Sequence, residues 1–383
     1  MSESRLRVLM VTPVSVIGGA ENMFLSIAAL LPGLGVDPEL ICMRPGPLVD
    51  KAKAANIPVH VFEDHRYRNV LTVMRAVKWL SNLARQQQAD VMHCNHTAHL
   101  YSGLARRRTG VPEIWHLHDY DNPKDNLAKL VRRIPTSHVI FATHALVKGF
   151  PILNKYPHTV IQPTCVDVGK LVATPDNPDV MRKFSLGSGP MLLTVARMQP
   201  HKGHRVLLDA AAEVARLRPD ATFAIVGTAS GDKQEAYLQE LRAKVVQLGL
   251  AGAVRFLGFV GDEDLVNLYR RAAAVVHPAT SEGFSVTLQE AMAAGAPVIG
   301  TSADGPRELL ETWKTGVIVP AGDSAALAEA IVSLLNDPER GKKLSAEGIE
   351  AAQSARLETM VQRTADVYRL VVETTRKAQT EKR

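Results

Sequence analysis

Two glutamates lie eight positions apart in the segment SEGFSVTLQEAMAAGAPVIG, residues 281–300, at Glu282 and Glu290. The small and apolar residues after Glu282 predict a helix that begins near Ser285–Val286. The free N–H groups of the first turn of such a helix, together with the helix dipole, suit a phosphate group. The segment therefore predicts an anion site that is flanked by carboxylates.

The positions of the two glutamates suggest different ligands for them. Glu290, one turn inside the predicted helix, is placed to accept hydrogen bonds from a vicinal diol such as that of a ribose. Glu282, before the helix, is placed to bind hydroxyls of a group attached to the phosphate, and Gly283 lets the backbone approach a ligand closely. The alternative is that Glu282 only balances the helix dipole and that Glu290 is a solvated surface residue.

A second segment, VARMQPHKGH, carries two cations beyond the end of a predicted strand. Arg197 stands at the strand end, Lys202 lies in the following loop, and Gly203 precedes the next helix. Two cations at the carboxyl edge of a sheet are well placed to bracket a diphosphate. The alternative is an ordinary solvated loop. The glycine-rich turn PVSVIGGAENMF, with Gly18 and Gly19, is only weak support for a dinucleotide site because it lacks the full Gly-x-Gly-x-x-Gly pattern.

These segments belong to a repeating pattern of short apolar runs and helix-length amphipathic stretches, which predicts βαβ units and parallel sheets. The pattern restarts after a region rich in Pro, Asn and Gly at 171–189, which we interpret as a linker. The fold class is α/β, with two doubly wound domains at 1–170 and 185–355 and a charged helical tail at 356–383. Ligands of such sheets bind at the carboxyl ends of the strands, so we expect the site in a cleft between the domains.

Composition limits the classes of partner. The chain has 383 residues and a formal charge of +6, and residues 1–170 carry 20 Lys/Arg against 13 Asp/Glu. A basic first half suits a phosphorylated substrate or an anionic membrane. No nucleic-acid motif is present, and the three cysteines lack zinc spacing. The N-terminal apolar run is too short for a signal peptide, so we expect a cytoplasmic protein, free or peripheral at the inner membrane face.

The order of these motifs resembles the retaining glycosyltransferases of family 4, also called glycosyl transferases group 1, which have the GT-B fold. In that fold two Rossmann-like domains face a cleft, the first for the acceptor and the second for a nucleotide-sugar donor. The matching segments are GGAE (18–21), the strand-end histidines of WHLHD, RMQPHKG (197–203) and EGFSVTLQEAMAAGAPVI (282–299).

The resemblance assigns roles to the second half of the chain. Glu290 would bind the donor ribose, Glu282 the hydroxyls of the donor sugar, and Arg197 with Lys202 the diphosphate. The donor-binding turn is implied to comprise four residues: Gly283, Phe284, Ser285 and Val286. The family often has a second glycine where Ser285 stands here. We expect the Ser285 N–H to face the phosphate and its hydroxyl to add a bond.

In the first half, the resemblance implies that Gly19 lines the acceptor and phosphate side and that His118 lies near the reacting face of the sugar. His116, two residues earlier on the same strand face, is a rival for that role. The family's usual Asn-Gly-Val-Asp turn is replaced by PTCVD, with Thr164 and Cys165 at the changed positions, so the acceptor side is expected to differ.

The implied activity is transfer of a sugar from a nucleotide-diphosphate sugar to a hydroxyl acceptor, with retention, by front-side attack and without a metal or other cofactor. The acceptor could be a glycan, a lipid-linked saccharide or a small metabolite. The alternatives are a sugar-nucleotide epimerase or hydrolase on the same scaffold, and a non-catalytic subunit. All four charged site residues are present, which argues against the non-catalytic subunit.

Three further patterns have an ordinary and a functional interpretation. The triplet DYD (119–121) mimics an Asp-x-Asp metal site. His93, His96 and His99 have a three-residue spacing that we assign to a structural or acceptor-loop role rather than to zinc. The amphipathic stretch 69–88 is either a core helix with a solvated basic face or a contact for an anionic membrane.

Overall fold

The computed structural model has two α/β units, as the sequence predicted. The Thr164–Cys165 turn and Asp121 of the DYD triplet fall outside the part of the chain that it describes. The described residues are 5–13, 15, 18–63, 69–120, 126–163, 171 and 173–381.

The first unit is built on a seven-stranded parallel sheet. Its strands are β1 Leu6–Thr12, β2 Val36–Cys42, β3 Val59–Val61, β4 Val91–Asn95, β5 Glu113–Leu117, β6 His138–Phe141 and β7 His158–Val160. They lie in the order β3-β2-β1-β4-β5-β6-β7. The chain reverses its direction of winding between β1 and β4, and open sheets of this kind bind ligands beside such a reversal.

The second unit repeats this plan with six parallel strands. They are β8 Met191–Val195, β9 Thr222–Val226, β10 Val254–Gly258, β11 Ala272–Val276, β12 Val298–Thr301 and β13 Val317–Val319. Their order is β10-β9-β8-β11-β12-β13, so the reversal lies between β8 and β11. Within β8, Leu192 packs in one core cluster and Met191 and Leu193 in another. Both faces of the sheet are thus covered, which explains why these strands read as continuous apolar runs.

Helices alternate with the strands. They are α1 Gly19–Leu30, α2 Pro47–Ala54, α3 Val70–Gln86, α4 His99–Thr109, α5 Asn126–Val131, α6 His144–Gly149, α7 Val180–Lys183, α8 His204–Leu217, α9 Asp232–Gln247, α10 Asp262–Arg271, α11 Val286–Ala293, α12 Asp304–Trp313, α13 Ser324–Asn336, α14 Pro338–Ser354 and α15 Leu357–Thr380. Among the described residues, no helix combines the length and the apolar character that crossing a lipid bilayer requires.

The last helix, α15, belongs to the first unit. That unit comprises Met1–Cys165 and Leu357–Arg383, and the second comprises Val166–Arg356. Met360, Val361 and Tyr368 of α15 are buried in the same core cluster as Phe24 of α1. Residues 356–383 were predicted to form a separate helical tail, whereas their apolar stripe completes the core of the first unit.

The segment that we interpreted as a linker packs on the second unit. Arg270 of α10 donates to the carbonyl of Thr174 at 2.9 Å, and Arg271 pairs with Asp176 at 2.7 Å. Val180 is fully buried. The Pro- and Asn-rich composition therefore marks irregular backbone that is fixed by α10, not a free connection.

Candidate functional site

The loops that follow β8 and β11 carry the charged residues singled out in the sequence. Arg197 stands two residues after the end of β8, and Lys202 ends a short 3-10 turn before α8. Glu282 lies between β11 and α11. Because β8 and β11 flank the winding reversal, both loops meet at the edge where doubly wound sheets bind ligands.

Backbone contacts hold the two loops together. Thr280 donates its backbone N–H to the carbonyl of His201 at 2.8 Å. Gly203 has a φ of +77°, and a Cβ added there would lie 1.8 Å from the carbonyl oxygen of Pro278. A glycine is therefore required at 203 both by its left-handed backbone and by the approach of the neighbouring loop.

Lys202, Glu282 and His277 form a buried polar cluster. Lys202 Nζ contacts Glu282 Oε2, and His277 Nε2 lies 3.3 Å from the same oxygen. The three side chains are only 11%, 7% and 4% exposed, respectively. Burial raises the pKa of Glu282, but His277 and Lys202 outweigh burial and hold that pKa at about 2. Glu282 is thus an ionised hydrogen-bond acceptor at neutral pH.

Helix α11 begins where the sequence predicted. Ser285 is its N-cap, and the Ser285 hydroxyl accepts a 3.3 Å bond from the backbone N–H of Leu288. Its oxygen serves as a cap, a role that the sequence analysis did not give it. Val286 is the first helical residue, and the remaining first-turn N–H groups have no partner within the helix.

The turn at Gly283 and Phe284 is fixed from the other side by the start of α12. Gly305 donates its backbone N–H to the carbonyl of Glu282 at 2.9 Å. A Cβ on Gly305 would lie 2.6 Å from the Gly283 carbonyl carbon and the Phe284 nitrogen. This backbone-to-backbone contact explains why residue 305 is a glycine and fixes the position of the turn at Gly283 and Phe284.

Glu290 is half-buried and its Oε2 accepts a 3.0 Å hydrogen bond from the Tyr269 hydroxyl. The interpretation of Glu290 as a freely solvated residue is therefore wrong. Burial and the adjacent Glu290 carboxylate raise the pKa of Tyr269 well above its usual range, so the tyrosine stays a donor. One carboxylate oxygen is thus held in place from α10.

Arg197 differs from Lys202 in its surroundings. It is exposed, and within the described residues its side chain makes no hydrogen bond or ion pair. The structure brings Lys202 and Glu282 into contact but leaves the Arg197 side chain exposed on the same loop. Such a guanidinium can change its conformation to bind an anion.

In the first unit, His118 follows β5 and is 8% exposed. Its ring centroid lies 3.9 Å from that of His116 and 5.4 Å from that of His96. Burial and the neighbouring His96 and His93 lower the pKa of His118 well below its usual range. At neutral pH His118 is therefore uncharged and acts through hydrogen bonds rather than ion pairs.

Two other features mark this edge of the first sheet. His96, directly after β4, has a φ of +46°, a left-handed conformation that is uncommon outside glycine and is found at functional sites. Gly19 is the first residue of α1 and is exposed, with Gly18 as the N-cap. Both follow neighbouring strands of the winding reversal.

The spaced histidines do not converge on a common point. His93 packs with Phe24 and Tyr368, whereas His99 Nδ1 lies 2.7 Å from Glu113. The zinc interpretation of His93, His96 and His99 therefore finds no support among the described residues.

A different trio, Cys94, His99 and Glu113, places its ligand atoms within 4.8 Å of one another. Glu113 is fully buried and already accepts four bonds. Their donors are Cys94, at 2.7 Å, His99, at 2.7 Å, Ser102, at 3.1 Å, and Thr136, at 2.7 Å. Three of these donors share Oε1, which leaves that oxygen no lone pair for a metal, so the trio is explained as a hydrogen-bond network that joins β4, β5 and α4.

His277 and Tyr269, which contact the two glutamates, were not predicted from the sequence. His277 had a readable signal, because it comes directly after a buried strand in AAVVHP. Tyr269 had none, because it occupies an apolar position of α10 like any core residue.

Two family models match the chain and divide it as the fold does. The model described as Glycosyltransferase Family 4 matches residues 17–167. The model described as Glycosyl transferases group 1 matches residues 178–351. The second match includes every donor-side residue named above.

Similar curated proteins carry out sugar transfer according to their names. A phosphatidyl-myo-inositol mannosyltransferase of Mycobacterium leprae is 34% identical over 214 residues, which is 53% of this chain and 55% of that protein. A D-inositol 3-phosphate glycosyltransferase of Catenulispora acidiphila is 28% identical over 295 residues, 70% of this chain and 68% of that protein. The chain spans about half the length of most of the curated relatives it matches.

Solved structures confirm the predicted GT-B fold. A glycosyltransferase from Rickettsia africae has a TM-score of 0.83 at 22% identity, covering 97% of this chain and 99% of its own. HepE of Anabaena, in complex with UDP-glucose, has a TM-score of 0.81 at 24% identity, covering 95% and 99%.

Proposed function

Because this chain belongs to glycosyltransferase family 4, we propose that it transfers a sugar from a nucleotide-diphosphate sugar to a hydroxyl acceptor. The observation that carries the proposal is the contact between Lys202 and Glu282 at the winding reversal of the second sheet. A nucleotide sugar carries both groups that such a pair can bind: its diphosphate can pair with the Lys202 ammonium, and its sugar hydroxyls can donate to the Glu282 carboxylate. The start of α11 adds backbone N–H groups for phosphate oxygens.

Each donor-side residue receives a specific role in this proposal. Arg197 and Lys202 bind the diphosphate, and Glu282 binds hydroxyls of the transferred sugar. Glu290, oriented by Tyr269, accepts from the ribose diol. The backbone from Gly283 to Val286, including Phe284 and Ser285, lines the phosphates.

The reaction proposed is a front-side substitution with retention of configuration. The bond from sugar C1 to the diphosphate oxygen breaks, and a bond from C1 to the acceptor oxygen forms on the same face. The acceptor proton passes to a leaving phosphate oxygen. Arg197, Lys202 and the α11 amides stabilise the negative charge that develops, and such preorganised electrostatics is usually the largest contribution to catalysis. With these cations in place, we propose that no metal or other cofactor is needed.

The first unit is proposed to bind the acceptor. The family resemblance assigns Gly19 and His118 to that side, and the neutral state of His118 suits a hydroxyl. Relatives named for inositol phosphate or phosphatidylinositol make a cyclic polyol an attractive acceptor to test. A glycan and a lipid-linked saccharide remain in the proposed class.

We also propose peripheral contact with an anionic membrane through the start of α3, which would hold the protein at the inner face of the cytoplasmic membrane. Val70, Leu71 and Met74 are 73%, 66% and 61% exposed, and Arg75 and Lys78 are exposed beside them. Such a combination suits the surface of an anionic bilayer. Replacement of Val70 and Leu71 by serine should reduce co-sedimentation with phosphatidylglycerol vesicles, and equal binding of both proteins would contradict the contact.

A donor panel tests the enzymatic proposal. Purified protein is incubated with UDP-, GDP- and ADP-sugars, with and without inositol phosphates or crude acceptor extract, and nucleotide release and product anomer are measured. We expect acceptor-dependent release that persists in a chelator, with an anomer that matches the donor. Acceptor-independent release or interconversion of the donor sugar would instead favour the hydrolase or epimerase. No turnover and no binding of any nucleotide diphosphate would reject the donor site.

A further inference from the structure

A line of polar side chains runs through the core of the first unit from α15 to the end of β5. The Tyr368 hydroxyl lies 2.6 Å from His93 Nδ1. The other ring nitrogen of His93, Nε2, lies 3.1 Å from His116 Nδ1. The His93 and His116 rings are nearly parallel, with an interplanar angle of 16° and centroids 5.2 Å apart, so the two nitrogens face each other edge to edge. All three side chains are at most 1% exposed.

The direction of the hydrogen bonds along this line follows from the donors available. Within the described residues, the Tyr368 hydroxyl has no other partner than His93. If His93 Nδ1 carried a proton and donated it to Tyr368, the phenolic O–H would be buried without an acceptor, which is strongly unfavourable. Tyr368 must therefore donate to His93 Nδ1.

The two histidines then have defined tautomers. A neutral imidazole carries one proton, so His93 carries it on Nε2 and donates it to His116 Nδ1. His116 in turn carries its proton on Nε2. We propose that Tyr368 and His93 are positioning residues that fix His116 as an Nε2–H donor at the carboxyl edge of β5, beside His118.

The chemistry of the surroundings supports a neutral line. Burial lowers the pKa of His93 to about 3, although Glu113 opposes this. The pKa of His116 is lowered well below its usual range by burial and by His118, His93 and His96. Burial also raises the pKa of Tyr368, so the phenol keeps its proton. No member of the line is charged at neutral pH.

The atoms at the end of the line have no hydrogen-bond partner among the described residues. His116 Nε2, His118 Nε2 and both amide atoms of Asn95 are buried and make no hydrogen bond to any described residue. Asn95 and His116 are register neighbours on β4 and β5. Buried polar atoms are almost always paired with protein, water or ligand. Such a concentration of them at the winding reversal indicates that this corner receives a neutral hydrogen-bonding group, such as a hydroxyl.

This proposal adds to the proposed function and gives His116 and His118 different roles. His116 is not an alternative to His118 but the supporting member, whose proton is fixed from α15. Only one part of the proposal rests on the proposed function, namely that the hydroxyl received at this corner belongs to a substrate. The tautomers themselves do not depend on any activity.

Nitrogen NMR tests the tautomers directly. Protein with ¹⁵N-labelled histidine rings is examined by long-range proton–nitrogen correlation at neutral pH, with assignment from His93→Gln and His116→Asn. We expect the Nε2–H tautomer for both His93 and His116. In Tyr368→Phe, which keeps the ring but removes the hydroxyl, a second tautomer of both residues should rise to roughly a tenth or more of the population.

Tyr237→Phe is the matched control, because the Tyr237 hydroxyl is buried and makes no hydrogen bond to the described residues of either unit. It should leave the His93 and His116 signals unchanged. If sugar transfer is established, Tyr368→Phe should lower kcat about 3–10-fold with little change in the donor KM, as loss of one oriented hydrogen bond predicts.

An Nδ1–H tautomer of His116 in the unsubstituted protein would overturn the proposal, even if Tyr368→Phe failed to fold. Unchanged spectra of a folded Tyr368→Phe would also overturn it. The expected tautomers in a protein without transferase activity would uphold the positioning and reject the proposed function.

Discussion

Replacing Lys202 by alanine is expected to lower kcat by about 100–1,000-fold, the range seen when one preorganised charge-stabilising donor is removed. The Lys202 side chain is 11% exposed and contacts Glu282, so in the proposed reaction its ammonium would stabilise the departing diphosphate through little water. Donor affinity should fall much less, because Arg197 and the α11 amides still bind the ground state. Steady-state kinetics and donor titration of the same samples separate the two effects.

The control must distinguish lost chemistry from lost stability. Removing Lys202 leaves the Glu282 carboxylate buried, and breaking such a pair destabilises proteins by about 3–5 kcal/mol. The double variant Lys202→Ala/Glu282→Gln removes both charges and should recover part of the stability but none of the turnover. Lys183→Ala breaks an exposed pair with Asp264 and should leave kcat unchanged. Turnover in Lys202→Ala equal to that of the unsubstituted protein would reject the role of Lys202.

The fold could be predicted from the sequence because its parallel strands are buried on both faces. Such strands are short apolar runs, and β8 with its neighbours is written as PMLLTVARM, ATFAIVG and AAVVHP. The charged loops could be placed for the same reason, since residues that follow parallel strands collect at one edge of a sheet. Arg197 and Lys202 were placed by this rule, and Glu282 by the predicted start of the helix that follows it.

Partners that come from distant segments could not be predicted. Glu290 meets Tyr269 and His93 meets Tyr368, which is 275 residues away in the chain. Local periodicity shows that a helix has an apolar stripe but not which sheet the stripe covers. For this reason α15 was predicted to be a charged tail, although its apolar positions were visible in LETMVQRTADVYRLVV.

Gly203→Ala is expected to destabilise the second unit more than a glycine-to-alanine change at a left-handed position that has no close neighbour. The new Cβ would lie 1.8 Å from the Pro278 carbonyl oxygen, so the two loops must separate. Loss of the left-handed preference alone costs about 1–2 kcal/mol. Overpacking against backbone adds about 3 kcal/mol or more. Lys202, the preceding residue, would move with its loop, and turnover should fall with the stability.

Gly249→Ala isolates the conformational part of this effect. Gly249 has a φ of +69°, close to the +77° of Gly203, but nothing lies within 4 Å of its added Cβ. Hydrogen exchange measured by mass spectrometry on peptides from β8 and β11 reports the local free energy of opening. We expect protection there to fall by several orders of magnitude in Gly203→Ala and by about tenfold in Gly249→Ala. Equal protection in the two variants would mean that the Gly203–Pro278 contact does not hold the site together, and that the position of Lys202 beside Glu282 is maintained by the Thr280–His201 hydrogen bond and the ion pair.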